Sequence, residues 1–224
     1  MAFKEVVIRA INSKHVAVIG GGFFGIMTAI KLSERGFKVT VFERRSDILY
    51  EASYINQNRM HMGYHYPRSF ETAMSSFIFQ KAFCNMFREA VVENFDHYYC
   101  VAKEGSLLSP EQYMKFCDTV GLPYAKKKPA TITLTPEVEL SIKVPEKLYD
   151  ANLLRRTLLS MLDKDTSINL QVSTEVTEIE KKKEGGYEIA SRNNGAITKK
   201  HFDAVVNATY SNINKIAQMA GFET

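Results

Sequence analysis

The chain has 224 residues, 45% of them hydrophobic and 24% charged, which suits one sizeable α/β domain or two small ones. A formal net charge of +4 comes from scattered basic residues that often sit beside acids. This argues against nucleic-acid binding, and Lys181-Lys182-Lys183 reads as a solvated hairpin end. The odd set Cys84, Cys100 and Cys117 forms no CxxC and no metal spacing and argues against a disulfide scaffold; without a signal peptide or a run of ~18 apolar residues, the expected home is a reducing cytoplasm.

Residues 1–14 read as a short lead-in strand or arm. His15 to Ile19 is an apolar run of the kind that forms a buried parallel strand. Glycines follow at the spacing Gly20-x-Gly22-x-x-Gly25, then an amphipathic run from Phe23 to Arg35 closed by Gly36, then a second apolar strand from Phe37 to Phe42 that ends on Glu43. Each part has a mechanical reason. Gly20 lets the chain turn sharply from strand to helix, Gly22 lets a pyrophosphate approach the backbone, and Gly25 lets helix and strand pack closely. The helix start at Phe23 and Phe24 presents unpaired N–H groups and a partial positive charge. Glu43 falls about 20 residues past the glycines, where a carboxylate accepts both hydroxyls of an adenosine ribose. A Gly-rich turn in an unrelated α/β unit would not explain the position of that acid.

Residues 51–69, EASYINQNRMHMGYHYPRS, are dense in Asn, His, Tyr and Arg without a period of 2 or 3.6, and read as a loop pinned by side-chain hydrogen bonds. Residues 69–92 read as a helix whose stripe of Phe70, Met74, Phe77, Cys84, Phe87 and Val91, with Phe83 alongside, is core. A strand is expected from Phe95 to Ala102. A helix then starts at Ser109 as N-cap with Pro110 at its first position and ends near Gly121. Residues 122–137 read as irregular or edge structure, Val138 to Val144 as a strand, and Ala151 to Leu162 as a helix capped by Asp150. Ile168 to Glu180, Tyr187 to Ser191 and Ala196 to Lys199 read as a three-stranded meander, with Gly185-Gly186 and Asn193-Asn194-Gly195 as turns. A last apolar strand, Phe202 to Asn207, leads into Ala208-Thr209-Tyr210-Ser211 and a short helix; the sequon Asn207-Ala208-Thr209 is a chance pattern in this context.

Together the glycine opening, the polar loop and the late meander resemble flavin-dependent oxidoreductases of the D-amino-acid-oxidase type, over roughly residues 14–215. The resemblance implies an α/β fold: a Rossmann-like FAD-binding domain of the glutathione-reductase type with a β-meander, plus part of an α+β substrate domain. The implied boundaries are residues 1–68 and 151–224 for the FAD-binding domain and 69–150 for the partial substrate domain. In that family the glycines and the strand-end acid bind the ADP half of FAD, which maps to Gly20, Gly22, Gly25 and Glu43, with Arg44 beside the ribose. A Ser-containing segment followed by His-x-Gly-x-x-Tyr wraps the pyrophosphate and flavin, and Ala52-Ser53 with Asn56 to Tyr66, including Asn58, looks like that segment. Val176 sits where a valine main chain contacts adenine, and Ala208-Thr209-Tyr210 stands where an Ala-Thr-Gly closes over the dinucleotide, with Tyr in place of Gly. Family members also continue for a long further segment, so the chain resembles the N-terminal portion of such an enzyme, whether as a fragment, a natural truncation or a partial gene product.

FAD is expected over NAD because the chain leaves Glu43 into a long polar loop and long helices and returns through a meander, rather than entering a further βαβ unit at once. Arg44 raises NADP, but Glu43 opposes a 2′-phosphate by like charge. For the chemistry, Arg59, His61, Tyr64, His65 and Tyr66 are the local candidates: an arginine fork suits a substrate carboxylate, and a histidine near the ring holds a proton or links to the flavin. Bracing the loop is the competing reading for each of them. Arg68 reads as a surface or phosphate-side charge, and His97 and His201 as structural.

The expected activity is oxidation of an amino acid, secondary amine or 2-hydroxy acid by hydride transfer to FAD. The alternatives are a non-catalytic FAD/ADP-binding module, a flavin monooxygenase and a quinone-linked dehydrogenase. Expected partners are a small amine or hydroxy-acid substrate, a quinone or membrane-surface contact of the full enzyme, and a second copy paired through an incomplete sheet.

Overall fold

The computed structural model describes residues 14–130 and 134–223. The lead-in strand expected over residues 1–14 therefore lies outside the described residues except for Lys14. Two compact units are formed, one from the chain up to Asn56 together with Arg155 onward, the other from Gln57–Leu154. The first division falls ahead of the expected 68/69, because Met62 and Tyr64 are buried in the core of the second unit.

In the first unit, β1 (His15–Ile19) lies between β2 (Lys38–Phe42) and β13 (Ala204–Asn207), and β9 (Ile168–Gln171) lies beside β2, all four parallel. The near-continuous apolar sequences of β1 and β2 fit their burial, as parallel strands covered on both faces require. Helix α1 (Phe23–Ser33) buries Gly25, Ile26, Ala29 and Ile30, one stripe at helical spacing. Gly36 takes the left-handed φ of 88° just past its end. The antiparallel meander β10 (Thr174–Lys181), β11 (Tyr187–Asn193) and β12 (Ala196–Phe202) contributes Val176, Ile179, Ile189 and Phe202 to a core shared with Ala17, Ile19 and Phe42.

The expected first meander strand, Ile168 to Glu180, is two strands of two different sheets. The break falls at Ser173, whose φ of 51° reverses the chain and whose N–H donates to the Arg45 carbonyl at 2.7 Å. No Gly or Pro marks it, so the alternating pattern runs straight through. Phe202 likewise ends β12 instead of starting β13.

The second unit holds α3 (Phe70–Met86), α4 (Pro110–Val120) and two small antiparallel sheets. One sheet orders β3 (Arg59–Met60), β8 (Lys147–Tyr149) and β4 (Val91–Val92); the other orders β5 (His97–Ala102), β7 (Val138–Val144) and β6 (Ala125–Lys126). Helix α4 starts as its sequence dictates: Ser109 accepts from the Gln112 N–H and Gln112 bonds back to the Ser109 N–H, a complete capping box, with Pro110 following and Gly121 at φ 80° closing the end. Ala151–Asp163 forms α5, and the Asp150 Oδ1 accepts from the N–H groups of Asn152 and Leu153 at 2.8 and 2.9 Å.

Three expectations for this region are corrected. The loop over 51–69 contains the short helix α2 (Ala52–Ile55) and strand β3. The helix expected over 69–92 ends at Met86, and Val91 belongs to β4. The stripe is core for the most part, with Phe87 buried just past the end of α3 and Met74 and Phe77 packed against the buried cluster of this unit, but its first member Phe70 is 49% exposed. The apolar side chains of α3 are spread around the helix. What sits closest is its backbone: a Cβ on Gly63, which has φ +118°, would meet the Ala73 carbonyl oxygen at 2.7 Å. Helix α6 (Ile213–Met219), preceded by a single turn at Tyr210–Asn212, ends the described chain.

Candidate functional site

The strand–turn–helix of the first unit builds a cradle out of missing side chains. Gly20 has φ +111°, and a Cβ there would lie 2.6 Å from the Ala208 carbonyl oxygen. A Cβ on Gly25 would lie 1.9 Å from the Gly20 carbonyl oxygen, so helix and turn meet this closely only with glycine. Gly22, the N-cap of α1, is extended, and a Cβ on it would find the Ser53 Oγ at 3.8 Å and nothing nearer. That leaves the backbone at Gly22 open to close approach. The Phe23 N–H donates to the Ser53 Oγ at 3.2 Å, and the Phe24 side chain is 80% exposed. N–H groups of the first helical turn have no acceptor within the helix, which makes this end a site for negative charge.

Glu43 is buried and turned onto the glycine turn. Its Oε2 accepts from the Gly21 N–H at 2.7 Å and its Oε1 from the Arg45 N–H at 2.7 Å. Gly21 was not singled out in the sequence, yet a Cβ on it would sit 2.8 Å from the Glu43 Cβ. The signal for it was the unbroken run Gly20-Gly21-Gly22. Arg44 does not stand free beside this acid: its Nη2 bonds the Glu51 Oε1 at 3.0 Å, and the Arg45 Nε bonds the same oxygen at 2.9 Å. Those hydrogen bonds, from Arg45 first and Arg44 second, hold the Glu51 carboxyl below its usual range.

Val176 is buried in β10, and the ladder to β11 shifts register between Val176 and Glu178, which loosens main-chain pairing beside it. Ala208 donates its N–H to the Ile19 carbonyl at 2.8 Å and so lies over the glycine turn, while the Thr209 Oγ1 bonds the Asn207 Oδ1 at 2.7 Å. Tyr210 keeps a φ of 50°, the left-handed conformation that a glycine adopts freely. The departure from Ala-Thr-Gly is thus in the side chain and not in the backbone, and the Tyr210 ring is 79% exposed.

The second unit gathers the other candidates around a residue the sequence reading missed, Glu146. Its side chain is fully buried; Arg59 donates to its Oε1 through Nε at 3.1 Å and Nη2 at 2.7 Å, and the Met62 N–H donates to its Oε2 at 3.2 Å. The Tyr99 hydroxyl lies 3.1 Å from each carboxylate oxygen and also meets the Arg59 guanidinium, which stacks over the Tyr99 ring. Burial opposes ionisation of Glu146, but the polar contacts from His61, Arg59 and the Met62 N–H outweigh it and bring its pKa down to about 2. Arg59, a candidate for a substrate carboxylate, thus spends its fork on an internal one.

His61 lies 3.6 Å from the Glu146 Oε1 through Nδ1, and its ring packs against those of His65 and Tyr66 with centroids 5.4 and 5.8 Å away. Tyr64 is buried, and its hydroxyl donates to the Pro123 carbonyl, so it serves the core. Burial raises its pKa. Asn58 carries a left-handed φ of 53°, and its carbonyl accepts from the Tyr149 N–H at 2.9 Å. His97 stacks on Tyr99 and reaches the Glu146 carbonyl oxygen at 3.3 Å; burial lowers its pKa. Exposed Arg68 and His65, with Tyr64, Tyr99 and Tyr113, line an open cavity of about 270 Å³. No group of three or more metal-ligating side chains occurs among the described residues, and no helix there is long and apolar enough to cross a membrane.

The family described as FAD dependent oxidoreductase (DAO) matches residues 15–224. The chain belongs to that family. Among curated proteins, it is 30% identical over 149 residues to the FAD-dependent monooxygenase FPY4 of Fusarium mangiferae, which spans 62% of this chain and 37% of that protein. It is 31% identical over 105 residues to the FAD-dependent monooxygenase kojA of Aspergillus flavus, covering 47% of this chain and 24% of that one. Among solved structures, a glycine oxidase from Geobacillus kaustophilus superposes with a TM-score of 0.74 at 18% identity, covering 94% of this chain and 60% of the oxidase. The L-α-glycerophosphate oxidase from Mycoplasma pneumoniae, solved with FAD bound, gives 0.72 at 21% identity, with coverages of 93% and 57%. The chain therefore spans 37% of the length of FPY4 and 60% of the glycine oxidase.

FAD is the cofactor of this DAO family, and the residues present fit its ADP half. The open Gly22, the Glu43 carboxylate at the turn and the Ala208 carbonyl closing over Gly20 leave a backbone-lined space that side chains at those glycines would fill.

Proposed function

We propose that this protein is the FAD-binding and partial substrate portion of an oxidoreductase that takes a hydride from a small amino acid, secondary amine or 2-hydroxy acid. The observation that carries the reading is the buried Glu43 bonded to the Gly21 N–H, because it presents a carboxylate at the ribose position of the cradle. In this proposal Glu43 accepts the ribose hydroxyls, Gly22 with the N–H groups at Phe23 and Phe24 takes the pyrophosphate beside Ser53, the Val176 main chain meets adenine, and Ala208-Thr209 closes over the dinucleotide. When bound, the flavin supplies the two-electron acceptor; the chain's own residues bind it, orient the substrate and exclude water.

A second reading, a flavin monooxygenase, is favoured by the names of the fungal relatives at 30% and 31% identity. One experiment separates the two. The purified protein is expected to show flavin absorbance in the visible, and the material released on denaturation to have the mass of FAD. Anaerobic bleaching by amino acids, secondary amines or 2-hydroxy acids supports the oxidase or dehydrogenase reading, whereas bleaching by NADH or NADPH alone supports the monooxygenase. A colourless protein that takes up no added FAD overturns both, and a yellow protein that no donor bleaches leaves a binding module.

A further inference from the structure

His61 and Glu146 meet in an arrangement that bracing the loop does not require. The Nδ1 of His61 is buried and makes no hydrogen bond of ordinary length among the described residues; the Glu146 Oε1 lies 3.6 Å from it. The side chain as a whole is 34% exposed although its Nδ1 is buried, and Nε2 is not among the buried unpaired atoms. The Glu146 carboxylate cannot turn away, because Arg59 and the Met62 N–H from one segment and Tyr99 from another hold it. An Nδ1 lone pair aimed at a carboxylate oxygen is repelled by it, whereas an Nδ1–H is attracted. The partner of one ring nitrogen thus decides which tautomer the other presents. Arg59 neutralises most of the Glu146 charge, so its effect on His61 is one of orientation. The other titratable groups around the ring are His65 and Tyr66, which pack against it, and Tyr99 and His97, which lie against Glu146.

We propose that Glu146 is a positioning residue for His61, holding the neutral imidazole as its Nδ1–H form so that the Nε2 lone pair is a proton-accepting site for an amine or hydroxyl. The second half of this statement rests on the substrate class proposed above; the first does not. In the transfer, the N–H or O–H bond of the substrate breaks and leaves its electron pair on that nitrogen or oxygen. A new N–H bond forms at Nε2, and the resulting imidazolium keeps its Nδ1–H toward Glu146.

The test is a long-range proton–nitrogen NMR spectrum of the nitrogen-15-labelled chain, recorded at alkaline pH where imidazoles are neutral. The five histidines are assigned by substitution. The expected result is a protonated Nδ1 and a bare Nε2 at His61, lost toward the Nε2–H form in Glu146→Gln and restored in part in Glu146→Asp, with His15 unmoved as the control for folding. This readout needs neither flavin nor turnover, so its failure is distinct from a failure of the cofactor reading, which the visible spectrum reports. A wild-type His61 protonated on Nε2 overturns the proposal even where Glu146→Gln does not fold, as does a folded Glu146→Gln with the tautomer unchanged.

Discussion

Two buried glutamates divide the work of this molecule, and they are held by opposite means. Glu43 has no cationic partner among the described residues: two backbone N–H groups, of Gly21 and Arg45, take its two oxygens. Glu146 is held mainly by side chains, the Arg59 fork and the Tyr99 hydroxyl, with a single backbone N–H from Met62. The first arrangement needs glycine beside the acid and sits at the rim of a cradle. The second needs long side chains from distant segments and sits in a core. Backbone-held acids are tuned by chain geometry, side-chain-held ones by ion pairing, and substitutions should separate the two.

The largest effect is expected where chain geometry leaves no room. Gly25→Ala would place a Cβ 1.9 Å from the Gly20 carbonyl oxygen, a backbone atom that cannot swing aside. We expect a loss of about 4 kcal/mol or more in thermal unfolding and no flavin absorbance, in the range where packing of the whole unit fails. Glu146→Ala comes next, at about 3–5 kcal/mol by denaturant titration, because it leaves the largely covered Arg59 guanidinium, its side chain 16% exposed, without its carboxylate. An Arg59 that relaxed into solvent would reduce that loss and blur the contrast with Glu43.

The ion-paired acid also leaves a pH signature. Its ordinary value of 4.5 falls to about 2 in the folded protein, since the burial that opposes ionisation is outweighed by contacts from His61, Arg59 and Met62. The folded state thus binds this proton less tightly than the unfolded chain. The resulting stability, on the order of 3 kcal/mol, is fully present above about pH 4.5 and vanishes as pH falls toward 2. Acid titration of wild type should show that slope and Glu146→Ala should lack it. For the backbone-held acid, Glu43→Gln sets an amide NH₂ against one of two N–H donors, a mismatch of about 1–3 kcal/mol. It should weaken FAD in equilibrium titration as well as lower the melting temperature. A variant that loses stability but binds FAD normally would remove the ribose contact from Glu43.

The same contrast explains what could be read from the sequence. Glu43 was legible because its partners lie in one strand–turn–helix with a fixed spacing, and local geometry dictates glycine, helix start and acid together. Glu146 was not, since its bond to Arg59 spans 87 positions and nothing near Val144-Pro145-Glu146 signals it. Arg59 was singled out in the sequence, but its bond to Glu146 was not foreseen for the same reason. The break at Ser173 escaped because a serine in the left-handed region has no sequence mark, whereas the α3 stripe held at Met74, Phe77 and Phe87 and failed at Phe70, which is exposed as Ile78 and Phe79 of the same helix are. The Ser109 N-cap and the Asp150 cap, both decided within three residues, were read correctly.

Tyr210 gives the smallest effect and isolates backbone from side chain most cleanly. Its φ of 50° costs an L-residue on the order of 1 kcal/mol, and its ring, 79% exposed, recovers little by burial. Tyr210→Gly should remove that strain, while the added freedom of glycine in the unfolded chain returns about 0.4–1 kcal/mol, so the net gain is about 0.5 kcal/mol. Tyr210→Ala keeps the strain and should stay within about 0.5 kcal/mol of wild type. If both variants are instead less stable than wild type, the ring is making contacts that outweigh its backbone cost. FAD titration of the same pair then decides where those contacts lie: an affinity that falls alike in both variants puts the Tyr210 ring against the dinucleotide, and one that holds in both leaves the backbone after Thr209 as all that matters there.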